Sequence, residues 1–385
     1  MSARNPNRYL LFEGCSEGKG LLVLTLWKGD DKIGEGPGVW LDSKNVKKMS
    51  VRAKGTPETN IDAPWDDEPS LDTGFVSDPN GHEFVEPQDE KKQVLIYVHG
   101  IHAPFTGQNA SYLANVNVAE TAYKRLWHAG YKGRFALYKW PALNPAGFFT
   151  SGTGFEFNQS EYRAWKYGKG LSDFAASMPD DYQRNVLAHS QGNAVVAAAF
   201  RDYNLAAATW VITQGAIPIS CYDDDTADLV FPHTSPDLAA NMGYRGYLKD
   251  EVSAKVVNFF NTRDRVTGQR WEANQSLFKP TIELVGITRI EYKHYAGSSE
   301  VRLQKFFNNV LLSDRTVSDL HESMAMIVKS RSKAIGQGAT TAGEVNVGVD
   351  MYADFSFDNE HGSQWNRAIQ ENLTLYFQRL LDEIE

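Results

Sequence analysis

A short strand, a serine and a helix follow one another at residues 185–199, in the sequence NVLAHSQGNAVVAAA. Ser190 lies at the junction, with Ala188 two residues before it and Gly192 two residues after it. A serine on a sharp strand-to-helix turn requires small neighbours at these positions, because larger side chains would collide there. Such a turn lifts the hydroxyl clear of the sheet and aims the N–H of Gln191 at a developing oxyanion. We therefore predict that Ser190 is a nucleophile. The alternative is a buried serine in an ordinary turn.

A second oxyanion donor is expected from the loop after an earlier strand, and VLIYVHG (94–100) leads into such a loop. Gly100 allows a sharp turn after His99, and the N–H of Ile101 is the candidate donor. His99 and His102 also form an H-x-x-H pair, which could bind a metal. Zinc would need a third ligand, and the sequence has no H-E-x-x-H pattern. We therefore predict no metal site, and the chemistry proposed for the serine needs no cofactor.

The acid that orients the base is expected after a late strand. Enzymes with this turn carry serine, acid and histidine in that order along the chain. The segment AKVVNFFNTRDRVT places Asp264 just beyond a strand, where it would hold a histidine in the required tautomer. A loop cluster in CYDDDTAD supplies the alternative acids Asp223, Asp224, Asp225 and Asp228. Mutual repulsion favours a solvated turn for this cluster, and it lacks the ligand spacing of an EF-hand.

Three histidines are candidates for the base. His361, in FSFDNEHGSQWNRAIQ, lies between the last predicted strand and the last helix, where a loop can extend over the sheet edge toward Ser190. His321, in VSDLHESMAMIVKSRSKA, is the alternative base, and His294, in EYKHYAG, is the third. His189 adjoins the serine, but we expect its side chain to point away from the hydroxyl. The position between the last predicted strand and the last helix favours His361 as the base.

Buried strands and helices alternate from residue 94 onward, which predicts a mostly parallel sheet with helices on both faces. The predicted strands are 94–100, 135–141, 185–190, 209–217, 254–262 and 347–357. The predicted helices are 111–130, 160–178, 191–204 and the amphipathic segment 363–384. The parallel strands place their carboxyl ends, and the candidate residues that follow them, along one edge.

Residues 1–90 differ in composition and hydrophobic pattern from the rest of the chain. LLVLTLW (21–27) and GPGVWLD (36–42) look like strands, and an acidic segment punctuated by proline and glycine follows them. We predict a small N-terminal β-rich extension with an acidic linker over residues 1–90, and a catalytic domain over residues 91–385.

Composition excludes several classes of protein. An apolar share of 42% and a charged share of 23% indicate a packed globular chain. A net charge of −9 argues against nucleic-acid binding, and a transient membrane contact would have to be local and apolar. Only Cys15 and Cys221 are present, and no early segment resembles a signal peptide. We expect synthesis in the cytoplasm, with signal-less export of the type VI kind as an open alternative.

The chain resembles the α/β-hydrolase superfamily. It is similar to uncharacterised bacterial esterase- or lipase-like proteins and, more distantly, to type VI secretion lipase effectors with a His-Ser-Gln-Gly elbow. The resemblance spans roughly residues 94–380 and is carried by YVHGIHA, NQSEYRAWKYGKGL, VLAHSQGNAVV, VNFFNTRDRVT, WEANQSLFKP, KSRSKAIG and EHGSQWNRAIQ. It implies an α/β-hydrolase fold and gives Ser190, His361 and Asp264 the roles of a catalytic triad. Ala188, which replaces the usual glycine, and residues 1–90 depart from the pattern.

These residues predict a serine hydrolase that cleaves carboxylic esters through an acyl-enzyme, with esterase, lipase or phospholipase activity. The expected partner is an ester or lipid substrate. The segment WPALNPAGFFTSGTGFEF (140–157) suits an acyl pocket or lid and a plain apolar surface loop equally well. The rival interpretations are an amidase or acyltransferase with the same triad, a secreted antibacterial lipase effector, and a non-catalytic binding protein with the α/β-hydrolase fold.

Overall fold

The computed structural model describes residues 16–55, 75–76, 91–101, 108–140, 142, 164, 167–217, 219, 252–270, 287–295, 298–307, 310–314, 334–338, 345–366 and 370–385. Its strands are β1 Gly18–Lys28, β2 Asp31–Ser43, β3 Ser50–Lys54, β4 Phe75–Val76, β5 Gln93–Val98, β6 Arg134–Lys139, β7 Gln183–His189, β8 Thr209–Thr213, β9 Lys255–Phe260, β10 Ile287–Tyr295, β11 Ser298–Phe307, β12 Val310–Asp314 and β13 Val347–Asp350.

The helices are α1 Val46–Met49, α2 Gln108–Ala129, α3 Gly168–Ala176, α4 Gly192–Tyr203, α5 Met351–Phe355, α6 Ser363–Asn366 and α7 Gln370–Ile384. A π-helical turn covers Val266–Arg270 and a 3-10 turn covers Ile335–Gln337. Among the described residues, no helix has the length and apolar character needed to cross a membrane.

The main sheet has eight strands in the order β13-β9-β8-β7-β5-β6-β3-β4. Its neighbours make six parallel pairings, and β4 alone runs antiparallel, beside β3. The connection from β6 to β7 crosses over β5, because β6 and β7 lie on opposite sides of that strand. The strands β7, β8 and β9 then follow one another across the sheet, so the loops after them are neighbours at one edge.

Alternate residues of the central strands enter two separate cores. On one face, Val94, Ile96 and Val98 pack with residues of α3 and α4. On the other face, Leu95 and Tyr97 pack with residues of α2 and α7. Burial on both faces explains why these strands read as continuous apolar runs. Helices therefore cover both faces of the sheet, as the sequence predicts.

The small residues of α4 allow its neighbour α3 to approach closely. All residues from Gly192 to Phe200 are buried. A Cβ built on Gly168, the first residue of α3, would lie 2.8 Å from the Cβ of Ala198. The sequence predicts a helix over residues 160–178, and a glycine weakens the interior of a helix. In the structure, the described helix begins at Gly168, and the close contact requires it.

Two predicted strands are too long, and the segment 209–217 is a strand only to Thr213. The segment 347–357 is a strand only to Asp350, and α5 follows at once. The Asp350 carboxylate accepts hydrogen bonds from the N–H groups of Tyr352 at 3.0 Å and Ala353 at 3.4 Å, so it caps the helix N-terminus. The predicted C-terminal helix is present as α6 and α7.

The N-terminal hairpin of β1 and β2 confirms the two strands predicted there. Within the first 90 residues, β3 also pairs in parallel with β6 of the main sheet, and β4 pairs with β3. The main sheet therefore includes strands from the segment assigned to the extension, and the boundary at residue 90 stays a prediction.

A largely parallel sheet with helices on both faces, and a sharp strand-to-helix turn after β7, is the architecture of the α/β-hydrolase fold. The fold predicted from the sequence is confirmed.

Candidate active site

Ser190 lies on a sharp turn between β7 and α4. Its φ of 53° is in the left-handed region, which a serine rarely adopts. The backbone on both sides is fixed, because the N–H of Ser190 donates to the carbonyl of Thr213 at 3.1 Å and its carbonyl accepts from the N–H of Ala216 at 3.0 Å. Such a strained conformation persists only where its surroundings determine it, and it is concentrated at functional sites.

Two glycines let the loop after β5 approach this turn. A Cβ on Gly192 would lie 2.5 Å from the carbonyl oxygens of Val98 and His99. A Cβ on Gly100 would lie 2.7 Å from the Cβ of Ser190. Ala188, the last residue but one of β7, is fully buried and pairs with Val98 in the sheet. The predicted requirement for small residues at the turn therefore has a direct steric cause at both glycines.

Asn193 supports the turn from within α4, and the sequence reading missed it. Its Nδ2 donates to the carbonyl of Ala188 at 3.1 Å and to that of Ser190 at 2.9 Å. Its Oδ1 accepts from Nε1 of Trp210 at 3.2 Å. A polar residue in a helix of otherwise small, apolar residues is the sequence signal that could have indicated this role.

Asp264 and His361, the predicted acid and base, are in contact. Oδ2 of Asp264 lies 2.6 Å from Nδ1 of His361, a short distance typical of a charge-assisted hydrogen bond. The side chain of Asp264 is fully buried, and that of His361 is 10% exposed. Oδ1 of Asp264 accepts from the N–H groups of Val266 at 2.8 Å and Thr267 at 3.4 Å. Residues 97 positions apart in the chain thus meet at one edge of the sheet.

The alternative acids and the alternative base stay predictions. Asp223, Asp224, Asp225, Asp228 and His321 lie outside the described residues. His102 and most of the segment 140–157 do so as well, and for His294 only the backbone is described.

Gln214 joins the two loops that carry the pair, and the sequence reading also missed it. This residue directly follows β8 and has a φ of 44°. Its Nε2 donates to Oδ2 of Asp264 at 3.0 Å, and its Oε1 accepts from the N–H of Gly362 at 2.7 Å. A polar residue at the carboxyl end of a buried strand, next to the strand of the serine, is the signal that could have found it.

His189 places an imidazole next to His361. The ring centroids lie 4.7 Å apart, and Trp365 meets His189 edge-on with centroids 5.6 Å apart. Burial, with smaller contributions from His361 and His99, lowers the pKa of His189 well below its usual value of 6.5. Part of the residue stays accessible to solvent, but Nε2 is covered, so the ring is neutral near pH 7.

His99 is part of the support for the loop after β5. The backbone N–H of Trp140 donates to its Nε2 at 3.2 Å, so Nδ1 carries the proton and donates to the carbonyl of Gly100 at 2.6 Å. The indole of Trp140 stacks on the His99 ring and donates to the His99 carbonyl at 2.8 Å. Both ring nitrogens are engaged, so His99 does not suit a metal. Across the described part of the chain, no group of three or more potential ligands could hold a metal ion.

The backbone donors predicted for an oxyanion belong to the serine turn and to the loop after β5, which approaches that turn at Gly100. Gln191 follows Ser190 and precedes the first residue of α4, and Ile101 follows Gly100. Ile101 packs with Ala216 and two other apolar residues, Val266 and Ala334. The roles of the two N–H groups stay predictions.

Several buried polar atoms at the site have no hydrogen-bond partner among the described residues, and Oγ of Ser190 and Nε2 of His361 are two of them. A buried polar atom without a partner costs free energy, and such atoms are concentrated where chemistry occurs. In ligand-free hydrolases the hydrogen bond between nucleophile and base is often long or poorly aligned. The arrangement offers a hydroxyl, an imidazole with a free Nε2 and a carboxylate that fixes the other ring nitrogen.

No family model and no curated relative matches the sequence. Solved structures that match include polyneuridine aldehyde esterase, with 11% identity and a TM-score of 0.31 over 76% of this chain and 100% of that one. Carboxylesterase CesB (YbfK) from Bacillus subtilis matches with 8% identity and a TM-score of 0.32 over 77% of this chain and 85% of that one. The metagenomic carboxyl esterase MGS0156 matches with 12% identity and a TM-score of 0.25 over 56% and 61%. At these values the similarity carries no inference about activity, and the α/β-hydrolase fold of this chain rests on its strand order and on the turn at Ser190.

Proposed function

We propose that this protein is a serine hydrolase that cleaves carboxylic esters. Ser190 is the nucleophile, His361 the general base and Asp264 the acid that orients it. The observation that carries the proposal is the 2.6 Å contact between Asp264 and His361, whose ring lies against that of His189, the residue before Ser190. A buried carboxylate on one nitrogen of an imidazole, beside a serine in a strained turn, is the arrangement that activates a hydroxyl.

The contact with Asp264 sets the tautomer that the reaction needs. A carboxylate accepts hydrogen bonds and does not donate them, so Nδ1 of His361 carries the proton. Nε2 then holds a lone pair and can accept the proton of the Ser190 hydroxyl. After this transfer the imidazole is positively charged, and Asp264 stabilises that charge.

The proposed reaction proceeds through a covalent acyl-enzyme on Ser190. Oγ of Ser190 attacks the carbonyl carbon of the ester while His361 takes the hydroxyl proton. The N–H groups of Ile101 and Gln191 stabilise the oxyanion of the tetrahedral intermediate. As the intermediate collapses, the C–O bond to the alcohol breaks and His361 gives its proton to the departing alcohol. A water molecule then gives a proton to His361 and attacks the acyl-enzyme. The acid is released and the Ser190 hydroxyl regains its proton.

Apolar side chains near the turn support an uncharged acyl group in the substrate. Ala216, whose N–H binds the Ser190 carbonyl, packs with Ile101, Val266 and Ala334. A charged acyl group close to such side chains would lose its hydration without gaining a partner, which is costly. An ester with an apolar acyl chain is therefore the substrate class proposed. Amide cleavage and acyl transfer would use the same residues, and the assay below separates them by product.

The test is covalent labelling with a fluorophosphonate probe, followed by mapping of the labelled peptide. We expect labelling at Ser190 in the wild type. Labelling should disappear in Ser190→Ala, and in His361→Ala it should fall to the rate of an unactivated hydroxyl. Hydrolysis of p-nitrophenyl esters of increasing acyl length should follow the same pattern. Adding a competing alcohol shows whether the acyl group is transferred, and an anilide substrate shows whether amides are cleaved.

The control variants are Ser177→Ala and His128→Ala, which remove the same side chains at exposed positions. Both should label and hydrolyse like the wild type. Labelling that persists in Ser190→Ala would place the nucleophile elsewhere. Folded wild-type protein that neither labels nor hydrolyses any ester would overturn the proposal and favour a binding protein with this fold.

A further inference from the structure

The buried side chain of Gln214 hydrogen-bonds to Asp264 and to the backbone on both sides of His361. The residue is fully buried and lies at the end of β8, between the loop of Asp264 and the loop of His361. Its amide makes three hydrogen bonds, to Oδ2 of Asp264 at 3.0 Å, to the carbonyl of Glu360 at 3.3 Å and from the N–H of Gly362 at 2.7 Å. We propose that Gln214 is a positioning residue, which holds Asp264 and His361 in their reactive arrangement. This role rests on the proposed function of the pair.

The polarity of the Gln214 amide is fixed by its surroundings. The N–H of Gly362 can only donate, so the amide oxygen must face it, and the amide nitrogen then faces Asp264. With the amide reversed, its oxygen would meet the carboxylate and its nitrogen would meet an N–H group. Both contacts would be repulsive, so a single orientation satisfies the network.

The hydrogen bond from Gln214 completes the cage around the Asp264 carboxylate. Oδ2 accepts from Gln214 and contacts His361, while Oδ1 accepts from the N–H groups of Val266 and Thr267. The two backbone donors hold one oxygen, and the amide holds the other. Rotation of the carboxylate away from His361 would break the bond to Gln214. The acid is therefore held at the angle at which its Oδ2 meets Nδ1 of His361.

Both ends of the amide hold the loop of the base, because Nε2 donates to the carbonyl of Glu360 and Oε1 accepts from the N–H of Gly362. Gly362 directly follows His361, and the carbonyl of Glu360 directly precedes it. Gln214 therefore binds the backbone on both sides of the histidine. The side chain fixes the distance between acid and base by bonding to the acid itself and to the peptide groups around the base.

The backbone of Gln214 supports a role for its side chain. Its φ of 44° lies in the left-handed region, where glycine would be free of strain. A long side chain at such a position persists when the surrounding contacts determine it. The N–H of Gln214 donates to the carbonyl of Phe259 at 2.9 Å, which ties this turn to β9.

The test compares Gln214→Met with Gln214→Glu in the full-length protein. Methionine has a similar length but makes none of the three hydrogen bonds. We expect kcat to fall about 10²-fold in Gln214→Met, the cost of a displacement of about 1 Å in a reacting group. KM should stay within about twofold of the wild type, because the amide does not contact substrate. The rate of fluorophosphonate labelling should fall by a similar factor.

The pH dependence of Gln214→Glu separates positioning from a purely structural role. When ionised, the introduced carboxyl can accept from Gly362 but repels Asp264. When protonated, it can donate to Asp264 and accept from Gly362, as the amide does. Between about pH 9 and about pH 6, the ratio of variant to wild-type kcat/KM should therefore rise as pH falls. In Gln214→Met the same ratio should not depend on pH.

Other titratable and charged groups lie on the elements around the pair. They are His189 at the end of β7 and Arg263, Arg265, Asp358 and Glu360 on the two loops. They are present in the wild type and in both variants, so the ratio of rates cancels their direct contribution.

The matched control is Gln364→Met, which removes another fully buried amide. Gln364 donates to Oγ1 of Thr213 at 3.3 Å and makes no hydrogen bond to Asp264 or His361 among the described residues. We expect its kcat to stay within about threefold of the wild type. Circular dichroism and urea unfolding verify that each variant is folded. If Gln214→Met does not fold, the pH-dependent ratio of Gln214→Glu decides the question, because glutamate keeps the length and can accept from Gly362 in both of its protonation states.

The experiment distinguishes a failure of the proposed function from a failure of the role proposed for Gln214. A wild type that neither labels nor hydrolyses esters would refute the proposed function itself. An active wild type, with folded Gln214→Met within about threefold of its kcat or with a flat ratio for Gln214→Glu, would refute only the role of Gln214.

Discussion

The ring of His189 lies against the ring of His361, with centroids 4.7 Å apart and 37° between the ring planes. Trp365 meets the His189 ring edge-on, so two imidazoles and an indole form a contiguous aromatic cluster next to the serine turn. Desolvation lowers the pKa of His189 well below 6.5, and the ring is neutral near pH 7. A neutral His189 adds no positive charge next to His361, so the imidazolium formed during the proposed reaction meets no repulsion from this neighbour.

The lowered pKa of His189 predicts a loss of stability at acid pH. Below about pH 6.5 the unfolded chain binds a proton at His189 that the folded chain does not bind. The stabilising difference is therefore fully present above about pH 6.5 and is lost as pH falls toward the folded pKa. His189→Gln removes this contribution. Relative to the variant, the wild type should lose up to about 1.4 kcal/mol of unfolding free energy per pH unit in this window.

Urea unfolding at several pH values between about 5 and about 8 measures this difference. The exposed His128 provides the control, because His128→Gln removes a histidine without removing a buried ring. The control should follow the wild type at every pH. Parallel curves for wild type and His189→Gln would show that His189 is not protonated differently in the folded and unfolded chains.

Asp264→Asn should lower kcat by about 10³–10⁴-fold, with a small effect on KM. The introduced amide can turn its nitrogen toward Nδ1 of His361, and this favours the tautomer with its proton on Nε2. The oxygen of the amide can still accept from the N–H of Val266, which Asp264 does at 2.8 Å, so the variant should fold. Steady-state kinetics with a p-nitrophenyl ester, together with circular dichroism, gives both quantities.

The control for this charge removal is Asp173→Asn, at an exposed position where Asp173 pairs with Lys169. An exposed ion pair contributes little to stability, so both kcat and folding should match the wild type. Near wild-type activity in Asp264→Asn would show that the acid of the triad is another residue. The cluster Asp223, Asp224, Asp225 and Asp228 would be the next set to substitute.

Gly100→Ala should disturb the serine turn directly. The added Cβ would lie 2.7 Å from the Cβ of Ser190 and 3.1 Å from the carbonyl oxygen of His189, so the turn or the loop after β5 must shift. Overpacking of a buried contact costs about 1–3 kcal/mol of unfolding free energy. We expect a loss of this size in urea unfolding and a loss of fluorophosphonate labelling that exceeds the loss of folded protein.

Gly338→Ala is the matched control, because a Cβ at Gly338 would have no atom within 4 Å. Its stability and labelling should equal those of the wild type. If Gly100→Ala labels like the wild type, the loop after β5 does not need its observed position for the serine to react.

Features encoded by local sequence could be predicted well. The turn at Ser190 depends on a buried strand, a helix of small residues and two small neighbours, which all lie within 15 consecutive residues (185–199). The same holds for the central strands, whose burial on both faces produces continuous apolar runs. Asp264 and His361 are far apart in the chain, but their positions after late strands were enough to predict their contact.

The role of Gln214, which depends on contacts between distant segments and follows no known motif, could not be predicted. Gln214 matters because loops 50 and 146–148 positions away meet its amide, and no local pattern encodes such a meeting. The error at 347–357 has a different cause. VGVD continues as MYADF, whose apolar residues fit either a strand or a short helix, and the capping bonds of Asp350 decide for the helix.

Trp140→Phe should weaken the loop that carries the proposed oxyanion donor Ile101. Phenylalanine keeps an aromatic ring that can stack on His99 but loses the indole N–H, which donates to the His99 carbonyl at 2.8 Å. A buried carbonyl that loses its partner costs about 1–3 kcal/mol of unfolding free energy. Because this peptide group precedes Gly100, we also expect kcat to fall, by at most the 10²–10³-fold that removal of a whole oxyanion donor costs.

Urea unfolding and steady-state kinetics measure the two effects. The control is Trp127→Phe, at a partly buried tryptophan on α2. An unchanged kcat in a destabilised Trp140→Phe would show that the loop position and the oxyanion donor are not coupled.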